Sequence, residues 1–448
     1  MSRCRVLVLG LDSVPSDLAF EHLSENMPRL LELRRKGAFG SLRSTDPPIT
    51  IPAWTTLLSG RDPGELGLYG FRSYKRNSYE MEGATSRSVR TPRLWDLASR
   101  AGLRSVVVGV PPSYPVEAPL GCVLTGCFLT PRSDSRWLDP PDLRTQLEER
   151  HGPYLVDVEG HRGGDRQAIL QGARAMTQQR FAILRDLCEQ TDPHLAVVVD
   201  IGPDRLHHGL LASLHPAHPS FSARDPLGPP CREYYALLDE EVGRTIDSVG
   251  GDPLVLVCSD HGVQPLLGGL CLNDWLIERG DLVLLDPPQG PTPLTSQMVD
   301  WRRTKAFAQG GHYGRLRLNQ KGREPQGMLP PGEASALLDA LQADLENLTY
   351  PNGQSMSNRV LRPCQLYRQT QGIPPDLLVY CDDLRLRAIG AVGTHRLVIE
   401  GNDTGADEAN HSLQGMFVAS GPGVPWKGYT EGQSLESMFE LLRTALLD

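Results

Sequence analysis

Three short apolar runs constrain this chain more than any other feature. Val6-Leu7-Val8-Leu9, Leu195-Ala196-Val197-Val198-Val199 and Leu254-Val255-Leu256-Val257 contain no polar residue. Runs of that length read as strands buried on both faces. Strands of this kind belong to a parallel sheet covered by helices on either side. Helical segments alternate with the runs. Pro28 to Lys36 sets Leu30, Leu31 and Leu33 against Arg34 and Arg35, and Gly37 closes it. Thr91 to Ala101 ends at Gly102, before the apolar strand Ser105–Val110. Asp165–Gln190, Glu233–Val249 and Ser434–Leu446 read as further helices, and Met416-Phe417-Val418-Ala419 returns to the sheet. Helix, glycine, apolar strand is the rhythm of an α/β fold with a mostly parallel central sheet.

Each run ends in ionisable residues. Asp12 follows the first, Asp204 and His208 the second, and Asp260-His261 the third. Open parallel sheets bind ligands at the carboxyl ends of their strands. Asp204 and His208, four apart, share one face of a helical turn. Carboxylate with imidazole is a ligand set suited to Zn²⁺ or Mn²⁺. His411 precedes the last apolar strand. Thr50 begins a helix, because Pro52 suits a first turn and Trp54-Thr55-Thr56-Leu57-Leu58 continue it. Its hydroxyl has two roles open to it. It can cap the helix, or it can be a nucleophile where free N–H groups and the helix dipole favour an anion such as phosphate. Singly, each of these residues has an ordinary explanation as a cap or turn residue. Five such pieces ordered around one parallel sheet point instead to a metal-dependent phosphoryl site.

The net charge is −9 over 448 residues, which argues against a stable nucleic-acid partner and leaves room for a small basic pocket. Nine scattered cysteines, an odd number without a C-x-x-C pair, read as buried free thiols in a reducing compartment. No signal peptide precedes the first strand, and no apolar run reaches the roughly 18 residues a membrane span needs. A cytoplasmic protein is therefore expected. Residues 264–404 are less regular and read as a second lobe beside a core of 1–263 and 405–448. Residues 111–145 read as loops around a short strand at Cys122–Leu129. The Pro-rich stretch 211–230 reads as a surface excursion serving as a lid loop.

Taken together, these motifs resemble the type I phosphodiesterase and nucleotide pyrophosphatase branch of the alkaline phosphatase superfamily. The similarity is greatest to its bacterial group of predicted phosphohydrolases or phosphomutases. It runs through Leu9-Gly10-Leu11-Asp12, Pro47–Trp54, Leu58-Ser59-Gly60, Pro203–His208, Ser259–Gly262, and His411 with Gly415–Gly423. It implies an alkaline-phosphatase-like three-layer α/β/α sandwich with a smaller second lobe. It also implies two divalent metal ions. One would be held by Asp12, Thr50, Asp260 and His261, the other by Asp204, His208 and His411. Thr50 would be the nucleophile of a phosphodiesterase acting on a small phosphorylated substrate through a phospho-threonine intermediate. A phosphomonoesterase, a phosphomutase and a metal-binding homologue without turnover are the alternatives. Two features depart from the family pattern. Phe71 stands where the nucleotide pyrophosphatases carry an asparagine, which makes its neighbour Arg72 the expected phosphate contact. His207 and His312 are rivals to His208 and His411 as ligands. The sulfatase branch is disfavoured, because Thr50-Ile51-Pro52-Ala53-Trp54 lacks its C/S-x-P-x-R motif.

Overall fold

The computed structural model describes residues 4–117, 122–131 and 136–448. Residues 1–3, ahead of the first strand, and 118–121 and 132–135, within the stretch read as loops, lie outside the described residues. The three apolar runs lie side by side. Val6–Leu11 is central, parallel to Leu195–Asp200 on one side and to Leu254–Cys258 on the other. Ser105–Val108 and Cys122–Thr125 extend the sheet in parallel beyond Leu195–Asp200. Gln414–Ser420 lies beyond Leu254–Cys258 and runs antiparallel to it and to Ala38–Arg43. Every residue of the central strand is buried, and each such Val or Leu side chain contributes about 1.5–3 kcal/mol on leaving water.

Helices cover both faces. Pro28–Lys36, Arg166–Thr191 and Gly228–Val249 pack together on one face; Thr50–Ser59, Leu435–Leu447 and Leu94–Arg100 pack together on the other. All ten residues of Thr50–Ser59 are buried. The sheet admits this helix because Gly10 has no side chain: a Cβ there would sit 2.5 Å from the Trp54 ring. The helix Gly228–Val249 starts earlier than expected, taking Pro229 and Pro230 into its first turn, where a missing N–H costs nothing. Together with the helix Gly202–Leu214 it reduces the excursion to residues 215–227, and none of these lines the cleft that contains Asp12, Thr50 and His411. The strand expected at Cys122–Leu129 ends at Thr125, and a helix not foreseen forms at Leu143–His151.

A separate apolar cluster occupies the 270–392 region. It lies on the antiparallel sheet of Ala306–Gln309, Gly314–Leu318, Leu377–Tyr380 and Arg359–Leu361. The hairpin Arg72–Tyr74/Met81–Gly83 joins it, with Tyr79 stacked on Trp301 at 3.5 Å. Between this cluster and the main sheet, Gly262–Pro265 pairs antiparallel with Ala409–Ser412, setting Val263 opposite His411. Among the described residues no helix is long and apolar enough to cross a membrane.

Candidate metal centre

The carboxyl ends of the three parallel strands place three carboxylates together. Asp12 leaves the central strand with its N–H still donating to Asp200 O at 3.0 Å. Ser13 then turns the chain sharply at φ 63°, and its N–H reaches Asp260 Oδ1 at 3.3 Å. Asp204 lies in the first turn of the helix after the second strand, and its Oδ2 accepts from Arg205 Nη1 at 2.6 Å. Asp12 Oδ2 accepts from Trp54 Nε1 at 2.8 Å. The remaining oxygens, Asp12 Oδ1, Asp204 Oδ1 and Asp260 Oδ2, are buried and have no hydrogen-bond partner. A buried carboxylate oxygen left unpaired is costly, and a cation among the three would remove that cost.

Three histidines face these oxygens, each with one nitrogen already committed. His261 Nδ1 donates to Gly262 O (3.0 Å) and His411 Nδ1 to Pro48 O (2.8 Å), while His208 Nδ1 lies 2.7 Å from Asp407 Oδ1. A carbonyl or carboxylate can only accept, so each ring carries a proton on Nδ1 and turns its Nε2 toward the carboxylates. This is the pattern that orients metal-ligating histidines. His261 Nε2 lies 3.3 Å from Asp260 Oδ2 and 3.6 Å from Asp12 Oδ1. His208 Nε2 and His411 Nε2 lie 3.4 and 3.8 Å from Asp204 Oδ1. Adjacent ligands of a tetrahedral ion with bonds of about 2.0–2.1 Å are roughly 3.3 Å apart. The donor set therefore fits a pair of divalent cations. Its ligand atoms fall into overlapping groups, Asp12/Asp260/His261, Asp204/His261/His411 and His208/His312/His411, within 4.8 Å in each group.

Thr50 sits at the edge of this cluster. It is the first residue of its helix, preceded by the extended residue Ile49, and its hydroxyl makes no capping bond. Thr50 Oγ1 instead points to His261 Nε2 at 3.4 Å. Trp54, one turn along the same helix, is the residue bonded to Asp12.

The charges are as crowded as the distances suggest. Burial, then mutual repulsion, pushes Asp12 and Asp260 well above the usual carboxylate range. Burial opposes ionisation of Asp204 too, but His208 and Arg205 outweigh it and hold it well below. Burial alone would lower His208, yet Asp407 and Asp204 raise it to about 9. Burial lowers His261 to about 4.

The two rival histidines are resolved differently. His207 has both ring nitrogens occupied, by Ser13 Oγ at 2.7 Å and Tyr235 OH at 2.6 Å. It supports the Ser13 turn and has no free lone pair for a metal. His312 stacks on His411 with centroids 3.8 Å apart. Its Nδ1 lies 2.8 Å from Asn410 Oδ1 and its Nε2 3.5 Å from the Arg387 guanidinium. It joins the cluster beside His411, which remains the histidine nearer Asp204.

Above these residues opens a cleft of about 570 Å³, lined by Phe71, Arg72, Met81, Phe128, His161, Arg162 and Arg205 among others. Phe71 packs edge-on against Phe128 at 5.8 Å. Arg72 is exposed at the cleft wall, and its carbonyl accepts from Arg315 Nη1 at 2.8 Å. Sequence reasoning passed over Trp54, Asp407 and Arg162. The spacing of four from Thr50 is a signal for Trp54; Asp407 and Arg162 reach the site only through tertiary contacts.

No curated protein matches the sequence. Solved structures share the fold. Phosphonoacetate hydrolase from Sinorhizobium meliloti 1021, in complex with phosphonoformate, superposes with a TM-score of 0.66 at 15% identity, covering 99% of this chain and 96% of that one. Human ectonucleotide pyrophosphatase/phosphodiesterase 5 gives 0.58 at 13% identity, covering 99% and 94%. The murine counterpart, an inactive variant in complex with AMP, gives 0.57 at 13%, covering 99% and 95%. Residues 6–414 match the model of the type I phosphodiesterase / nucleotide pyrophosphatase family, and the chain belongs to that family of hydrolases.

Proposed function

We propose that this chain is a two-metal phosphohydrolase that cleaves phosphodiesters with Thr50 as nucleophile. The observation that carries this reading is the convergence of three unpaired carboxylate oxygens and the Nε2 atoms of His208, His261 and His411, with Thr50 Oγ1 3.4 Å from His261 Nε2. Two divalent cations bound there would favour ionisation of the threonine hydroxyl and offset negative charge on the phosphoryl oxygens. Thr50 Oγ1 forms a bond to phosphorus as the ester oxygen leaves, giving a threonine phosphoester. Water then breaks the Oγ1–P bond, releases the phosphomonoester and restores the threonine hydroxyl. The N–H groups at the start of the Thr50 helix and the Arg72 guanidinium face the non-bridging oxygens. With Phe71 in the place of an asparagine, Arg72, next to it on the cleft wall, is a polar side chain suited to that contact. The ligands named for the similar structures, phosphonoformate and AMP, support a small phosphorylated or phosphonate substrate. The buried free thiols Cys4, Cys127, Cys188, Cys231, Cys258, Cys271 and Cys381 support a reducing, cytoplasmic setting.

The test is Thr50→Ala, assayed on a nitrophenyl phosphodiester with added Zn²⁺ or Mn²⁺. The variant should fold, keep its metal and lose activity by on the order of 10³-fold or more, while Thr50→Ser retains part of it. Turnover by Thr50→Ala near the wild-type rate would make water the nucleophile. The phospho-threonine route would then be abandoned, and the phosphomutase alternative with it.

A further inference from the structure

The cleft contains guanidinium groups that the protein itself does not pair. Arg205 is committed: it bonds to Asp157 Oδ1 at 2.7 Å and to Asp204 Oδ2 at 2.6 Å. Arg72 and Arg162 line the same cleft, and among the described residues neither guanidinium has a hydrogen bond or ion pair. Arg72 stands on the Phe71 side and is assigned above to the transferred phosphoryl group. Arg162 belongs to a different segment, a turn held against residues 405 and 406. Its carbonyl accepts from Ala406 N at 3.3 Å. Gly405, at φ 105°, approaches so closely that a Cβ there would lie 2.7 Å from that carbonyl. The Asp157–Arg205 pair holds the chain ahead of the turn, and His161 Nδ1 donates back to Val158 O at 3.2 Å. The nearby acid Asp407 is already taken by His208 and Arg387. Arg162 is therefore a half-buried cation facing the cleft, and the acid it interacts with, Asp407, is shared with His208 and Arg387. A cation partly removed from water calls for an anion, and a guanidinium fork matches a carboxylate or a phosphate.

We propose that Arg162 forms a second anion subsite, binding a carboxylate or phosphate group that the substrate carries in addition to the phosphoryl group at Thr50. This deepens, and rests on, the phosphohydrolase reading above. Substrates with an anionic substituent beyond the scissile ester are bound across the cleft, between Thr50 and Arg162. Those lacking it lose one charge-assisted contact.

The test is calorimetric binding to metal-saturated protein of methylphosphonate, phosphonoacetate and methylenediphosphonate, which share one phosphonate and differ in the second group. Wild-type protein should bind one or both of the dianionic-group ligands at least tenfold more tightly than methylphosphonate, on the scale of one charge-assisted hydrogen bond. Which of the two gains identifies the second group as carboxylate or phosphate. Arg162→Met should abolish the preference and leave methylphosphonate affinity unchanged, with Arg162→Lys intermediate. Absence of a preference in the wild type, or a preference that survives Arg162→Met, overturns the subsite. Binding requires no turnover, so the outcomes separate. An Arg162-dependent preference without diester hydrolysis rejects the phosphohydrolase reading and keeps the subsite. Hydrolysis with an unaltered preference does the reverse.

Discussion

Trp54 is the residue whose removal best separates a metal centre from a merely buried acidic cluster. It is fully buried, its ring fills the space above Gly10, and its Nε1 donates to Asp12 Oδ2 at 2.8 Å. Trp54→Phe keeps an aromatic ring in the gap and deletes that one donor. A hydrogen bond to a charged group contributes about 1.5–3 kcal/mol. Loss of an outer partner of a metal ligand weakens metal affinity by about 10–100-fold, which is about 1.4–2.7 kcal/mol. The two scales agree, so most of the bond should appear as lost metal affinity. With metal at 100 times the wild-type dissociation constant, binding stabilises the fold by about 2.7 kcal/mol. After a tenfold loss the gain is about 1.4 kcal/mol, and after a hundredfold loss about 0.4 kcal/mol. Denaturant unfolding of both proteins, with and without Zn²⁺ or Mn²⁺, measures these differences directly. The smaller ring will lower the stability of the metal-free protein too, so the discriminating quantity is the metal-dependent increment. An increment unchanged by Trp54→Phe would refute the assignment of Asp12 as a ligand oriented by Trp54.

Two further expectations follow from the cleft. Arg72→Ala should lower kcat/KM for phosphodiesters by about 10–100-fold, the scale of a lost charged hydrogen bond, with metal content unchanged by elemental analysis; loss of metal would show that Arg72 is structural. His411→Ala should reduce bound metal by about one equivalent, because its Nε2 faces Asp204 Oδ1, whereas His312→Ala should retain both ions, because its Nε2 faces Arg387; the opposite result would exchange the two assignments.

The sheet and much of the site were legible because both follow from local signals. A run such as Val6-Leu7-Val8-Leu9 has few options beyond a strand covered on both faces. A carboxylate at the end of such a strand has few neighbours beyond those at the adjacent ends. Asp12, Asp204 and Asp260 are brought together by the pairing of Leu11 with Asp200 and of Gly10 with Cys258. What escaped was set by tertiary contact. The prolines at 229 and 230 look like helix breakers, yet they fall where a helix start tolerates them. The role of His207 depends on Tyr235, 28 residues away, and that of Asp407 on His208 and Arg387. No spacing rule in the chain points to either. Thr50 as a cap was the reasonable alternative on helix statistics. The structure puts Ile49 in the cap position and Thr50 at the first helical residue, with its hydroxyl 3.4 Å from His261 Nε2, a distance the sequence does not disclose.

His411 shows how the two parts of the chain become one site. It lies 150 residues beyond His261, past the whole antiparallel cluster, yet the rings stack with centroids 3.8 Å apart. The pairing of Val263 with His411 accounts for this, because the ribbon begins where the Asp260-His261 turn leaves the main sheet. The His411 Nδ1 bond to Pro48 O then ties the ribbon to the segment that positions Thr50. The proposed ligands thus run from residue 12 to residue 411, and every one of them is buried. A metal-free site must either protonate Asp12 and Asp260 or hold their charges uncompensated, as their raised titration indicates. A cation shared among these groups would remove that cost and join the three strand ends, the ribbon and the Thr50 helix. Metal affinity at such a site would be inseparable from folding, because the contacts that gather these side chains are the ones that close the protein around them.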